Sequence, residues 1–219
     1  LKDAAKERGF KAVPLTGLKA KGEITQKIEP LTSHNVIGIL PGKKTPDEYV
    51  LYTAHWDHLG KKPTEKTGAP GEDFYQDQIF NGAVDNATGA SSLLEIAEAM
   101  AKQDLDRSVM FLSVTLEESG LLGSEYFAQH PTVPLNKIVA GINMDGSLPL
   151  GRTHDMVVVG YGASELEDML VEYLATQDRV VKPDPKPEAG SFYRSDHISL
   201  AKRGVPMLYA DGGEDKLDG

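Results

Sequence analysis

The 219-residue chain has no cysteine, which excludes disulfides and thiolate metal sites. Basic residues are the minority: 23 Lys and Arg stand against 33 Asp and Glu, a formal charge of -10. Nucleic-acid binding needs clustered Lys and Arg to neutralise phosphates, and this balance argues against it. Part of the acidic excess would instead be neutralised by bound cations. No apolar run approaches about 18 residues, so nothing reads as a membrane span, and there is no internal repeat. The opening "LKDAAKERGF" lacks the apolar core of a signal peptide and reads as the inside of a helix. With no initiator Met and a polar, Gly-rich close, "YADGGEDKLDG", the chain is expected to be a piece of a longer polypeptide.

A hydrophobic content of 40% is enough for one large domain over residues 1–219. Strand-like and helix-like segments alternate, which predicts an α/β domain with a mixed or largely parallel sheet. Strands are expected at residues 35–40, 49–54, 109–115, 138–143, 156–159 and 205–209. The strongest helix follows "DNATG": Leu93, Ile96, Ala97 and Met100 recur on one face of a 3.6-residue repeat. A second is expected from Ser164, with Ser164 and Glu167 as a capping box. A third covers 195–203 and stops at Gly204. Two polar loops rich in Pro or Gly, 61–80 and 181–191, are candidate walls of a site.

Three of the strands run into groups that can bind metal. "YVLYTA" leads to His55-Trp56-Asp57-His58, "VMFLSVT" to Glu117-Glu118, and "IVAGINM" to Asp145. In open α/β sheets the carboxyl ends of strands form the ligand crevice. Asp85 lies just before the strong helix, where negative charge is favoured. Singly, each has an ordinary explanation: a turn residue for His55, a helix cap for Asp85, a solvated surface for the Glu pair, a turn for Asp145-Gly146. Together, an imidazole and several carboxylates in one crevice repel strongly without a cation. Zn²⁺ suits mixed imidazole and carboxylate donors.

The order His-x-Asp, Asp-Asn, Glu-Glu, Asp resembles the co-catalytic zinc aminopeptidase family, which includes bacterial secreted aminopeptidases and glutamate carboxypeptidase II. The matching stretches are "AHWDHLG", "NGAVDNATG", "TLEESGLLGSEYF", "NMDG" and "FYRSDHISLAKRGVPML". The resemblance implies a three-layer αβα sandwich, a peptide substrate and two zinc ions. In it, His55 and Asp145 bind one zinc, Asp85 bridges both, and Glu118 binds the second. Glu117 is the general base for a zinc-held water, and Asp57 buttresses the His55 imidazole. Asp196 and His197 line the substrate side or stand behind the ligands; Phe192, Tyr193 and the 61–80 loop are candidate pocket walls. His58 matches no ligand.

The family's sixth ligand, a His, is expected beyond Gly219, which leaves the Asp85/Glu118 site incomplete in this chain. The resemblance also implies export of the parent protein and a protease-associated domain preceding this part. Side-chain specificity and oligomeric state are not readable. Related di-zinc carboxypeptidases or aminoacylases, single-zinc glutaminyl cyclases, and receptor-like modules of the same fold, as in the transferrin receptor, remain alternatives.

Overall fold

A computed structural model of the chain describes residues 2–19, 21–61, 79–146 and 151–216. The single domain expected over 1–219 divides into two units, Leu1–Thr32 and Ser33–Gly219. In the first, the described residues are all exposed, and the expected N-terminal helix is one 3-10 turn, Ala4–Lys6. With no buried face, nothing tertiary offsets the cost of helix nucleation there.

The second unit is built on one seven-stranded sheet. Its strands are β1 (Val36–Leu40), β2 (Thr45–His55), β3 (Arg107–Val114), β4 (Ile138–Asn143), β5 (Asp155–Val158), β6 (Val180–Pro183) and β7 (Met207–Gly212). They lie in the order β1-β3-β2-β4-β7-β5-β6. The central strands β3, β2, β4 and β7 are mutually parallel; β1 runs antiparallel to β3, and β5 antiparallel to β7. The helices are α1 (Ala87–Met100), α2 (Leu122–Gln129), α3 (Leu166–Ala175) and α4 (His197–Ala201).

Period-two alternation on the central strands makes the layers. On β3, Met110, Leu112 and Val114 join Leu51 of β2 in a core with Phe127 and Ala128 of α2 and Leu200 of α4. The intervening Val109 and Phe111 join Ala54 of β2 in a second core under Leu93, Ile96, Ala97 and Met100 of α1. Residues i and i+2 share a sheet face, so the two cores lie on opposite faces and the unit is an αβα sandwich. Leu51, Met110 and Leu112 are fully buried, each worth about 1.5–3 kcal/mol relative to exposure.

Two elements escape the sequence patterning, α2 and the edge strand β6, which is four residues long and ends in Pro183. The capping box at α3 forms by half. Glu167 accepts from the backbone N–H groups of Gly162, Ala163 and Ser164, whereas the Ser164 hydroxyl has no hydrogen-bond partner. No helix among the described residues is long and apolar enough to cross a membrane.

Candidate active site

Because β2, β3 and β4 are parallel neighbours, their carboxyl ends open on the same edge of the sheet. His55 is the last residue of β2; Glu117 and Glu118 follow β3, and Asp145 follows β4. Asp85 comes from the turn before α1. The His55 Nε2 atom lies 3.1 Å from Asp145 Oδ1 and 3.2 Å from Asp85 Oδ1. A second cluster joins Asp85 to Glu118 and His58, with His58 Nδ1 2.6 Å from Glu118 Oε1. In each cluster the three donor atoms lie within 4.8 Å of one another. One imidazole with two carboxylates is a donor set that suits zinc. Asp85 is half exposed, while His55 is buried.

The His55 ring is oriented from behind, though not as expected. Its Nδ1 atom donates to the backbone carbonyl of Asp57 at 3.1 Å, whereas the Asp57 carboxylate stands 3.8 Å away. Asp57 Oδ1 instead accepts the backbone N–H of Glu117 at 3.3 Å. A main-chain acceptor therefore holds the Nδ1 side of the ring, which turns Nε2 toward Asp85 and Asp145. The carboxylate of Asp57 ties the β3 turn to the β2 end.

Glu117 and Glu118 are not on the strand. β3 ends at Val114, and Leu116 adopts the left-handed conformation, φ 57°, before the two acids. Burial, opposed by the nearby His55 and reinforced by Asp196, Asp145 and Glu118, raises the Glu117 pKa to about 8. Burial acts against a charged His55, but the carboxylates of Asp145, Glu117 and Asp196 outweigh it and hold its pKa up at about 9. Asp145 is held below its ordinary value: burial opposes ionisation, and hydrogen bonds from His55 and Ser195 overcome it.

Two further residues support the donors. Ser195 accepts from Asn143 Nδ2 at 2.7 Å and donates to Asp145 Oδ2 at 2.5 Å. Asn86, rather than Asp85, caps α1: its Oδ1 accepts from Gly89 N–H at 3.0 Å and Gly146 N–H at 3.2 Å, and its Nδ2 donates to the Met144 carbonyl. It joins the start of α1 to the loop carrying Asp145. A β-carbon on Gly89 would lie 2.4 Å from both Asn86 Oδ1 and the Met144 carbonyl oxygen, so only glycine permits this approach.

Asp196 and His197 are fully buried behind the crevice. The His197 ring lies between Phe192 and Tyr209, at 4.9 Å from each. Burial lowers its pKa to about 4, against the pull of Asp145. Burial likewise raises Asp196 to about 6. His197 joins neither donor cluster. Phe192 borders an apolar cavity of about 820 Å³ lined also by Val50, Val139, Met169 and Met207, residues outside both clusters. Tyr193 is exposed. Within the 61–80 loop, residues 62–78 lie outside the described residues.

Known proteins resemble the chain in sequence and in fold. A probable zinc metalloprotease from Pyrenophora teres f. teres is 31% identical over 129 residues, covering 58% of this chain and 25% of that protein. Mouse aminopeptidase NAALADL1 is 32% identical over 139 residues, covering 60% of this chain and 16% of its own length. The chain thus spans a quarter or less of these two relatives. Among solved structures, an aminopeptidase from Aneurinibacillus sp. strain AM-1 superposes with a TM-score of 0.61 at 22% identity, over 84% of this chain and 40% of that one. Porphyromonas gingivalis glutaminyl cyclase does so with a TM-score of 0.56 at 22% identity, over 84% of this chain and 65% of that one. These two share the fold. The profile of Peptidase family M28 matches residues 35–217, most of the sequence, and the chain therefore belongs to peptidase family M28.

Proposed function

We propose that this chain is the catalytic part of a di-zinc aminopeptidase in which Glu117 is the general base. The observation that supports this most is Asp85, whose carboxylate belongs to both donor clusters at once, as a bridging ligand would. His55 and Asp145 would hold one ion with Asp85, and Glu118 the other. The relatives, an aminopeptidase and a probable zinc metalloprotease, point the same way.

Bound zinc supplies Lewis acidity, bringing a water towards a pKa of about 7 and polarising the scissile carbonyl. The remaining work falls to the chain's own groups. Glu117, on its left-handed turn beside both clusters, takes a proton from the attacking water as the C–O bond forms. It then gives that proton to the amine nitrogen as the C–N bond breaks. The hydrogen bond from Glu117 N–H to Asp57 fixes its backbone relative to His55.

The test is to load the chain with zinc and offer aminoacyl-p-nitroanilides and peptides with an N-terminal Gln. Hydrolysis of the anilide that chelation abolishes and zinc restores is expected. Cyclisation of the Gln peptide without hydrolysis, or failure to take up zinc, would overturn the proposal.

A further inference from the structure

We propose that His58 is a metal ligand and completes the second site with Asp85 and Glu118. This rests on the metallopeptidase reading above and gives His58 a role that the sequence motifs do not. Three observations carry it.

The first is the contact between His58 Nδ1 and Glu118 Oε1. At 2.6 Å it is as short as a strong ion pair, yet its angles are not those of a hydrogen bond. Both atoms are shielded from water, and neither has a hydrogen-bond partner. Two shielded polar atoms left without a hydrogen bond call for a partner that the chain itself does not supply, and a cation is one that both can bind. Two donors on a tetrahedral zinc stand about 3.4 Å apart, given bonds of roughly 2.0–2.1 Å. The pair would open by less than about 1 Å to admit an ion.

The second is Asp85, which completes a three-donor group with these two atoms, all within 4.8 Å of one another. This is the same number and chemistry of donors as at His55, Asp85 and Asp145.

The third is that the His58 side chain is packed against Gly82 and Phe80. Gly82, at φ +63°, lies so close that a β-carbon there would stand 3.0 Å from His58 Cβ and 3.2 Å from Cγ. Phe80 meets the ring edge-on, with centroids 6.3 Å apart. A surface histidine in an ordinary turn has no need of a fitted bed. Here the packing presents Nδ1 to Glu118.

The test counts zinc per chain by elemental analysis after chelation, reloading and gel filtration, with affinities from chelator competition. Wild type is expected to hold two equivalents, and His58→Ala one, with the second weakened by about 100-fold or more, beyond what loss of an outer support costs. His58→Asp is the rescue, because an Asp oxygen sits on Cγ where the imidazole carries Nδ1. It is expected to regain the second equivalent. The exposed His130→Ala is the control and should match wild type. Cobalt-loaded samples add a spectroscopic readout: the His58 variants should alter the visible band of the second equivalent alone.

Two equivalents in both wild type and His58→Ala, at unchanged affinity, would overturn the assignment of His58 and leave the proposed function standing. One equivalent in each would also overturn it. No zinc in wild type would overturn both. Thermal melting of the metal-free variants separates misfolding from ligand loss, since the metal-free His58→Asp should melt like wild type.

Discussion

Ser195 Oγ lies 2.5 Å from Asp145 Oδ2, while the other oxygen of the same carboxylate faces His55 Nε2 at 3.1 Å. A buried hydroxyl thus fixes the rotation of the group that presents itself to the first donor cluster. Ser195→Ala should weaken zinc at that cluster by about 10- to 100-fold. It should also cost about 1–3 kcal/mol of stability, since Asn143 Nδ2 loses its acceptor in the core. Chelator competition and urea melts measure the two effects. Unchanged zinc affinity would reduce Ser195 to a packing residue.

Asn86 does for the helix what Ser195 does for the carboxylate. Asn86→Ala removes the α1 cap and the tie to Gly146 and Met144 together, and should cost about 1–2 kcal/mol. Gly89→Ala should destabilise as well, because the added carbon meets Asn86 Oδ1 and a backbone carbonyl at 2.4 Å. The two effects should be less than additive when combined, since the residues share one contact. Melts of the singles and the double check this.

A pH prediction comes from the other end of the sheet. Asp155 is buried on β5; burial raises its pKa, but the Asp215 N–H at 2.9 Å and the Lys182 ammonium at 3.0 Å hold it below the ordinary value of 3.8. A group depressed in the folded state adds stability above its unfolded pKa and loses it as pH falls through the folded one. The stability gap between wild type and Asp155→Asn should be about 1–3 kcal/mol and level from pH 5 to 7. It should shrink as pH falls below 3.8. A gap that stays level through that fall would contradict the assignment.

Much of the fold was legible because its signals are local. The α1 face, with Leu93, Ile96, Ala97 and Met100, repeats at 3.6 residues and packs as that repeat demands. The unbroken apolar run of β3 reads as a central strand, and the polar groups at the strand ends read as a crevice. Short elements carried too little pattern. β6 is an edge strand of four residues, and α2 spans two turns with Gly123 inside it. β2 begins at Thr45, ahead of the expected start, through Pro46, Asp47 and Glu48, whose polarity reads as loop.

The candidate site divides along the same line. His55, Asp85, Glu118 and Asp145 announce themselves by chemistry at strand and helix ends. His58 and Ser195 take their roles from contacts across 60 and 50 residues of chain, which no local window contains, and the tie from Asn86 to Met144 spans 58. The backbone carbonyl of Asp57, the acceptor for His55, has no side-chain signature at all.

The central claim is that Glu117 moves protons and does not hold metal, while Glu118 does the reverse. Glu118→Ala should lose the second zinc equivalent by elemental analysis.

The most direct measurement pairs zinc content with anilide hydrolysis in Glu117→Gln. The amide preserves size and shape but removes the base. Unchanged zinc stoichiometry is expected, with turnover lower by about 10²–10⁴-fold. Near-wild-type turnover, or loss of zinc in parallel with activity, would contradict the central claim.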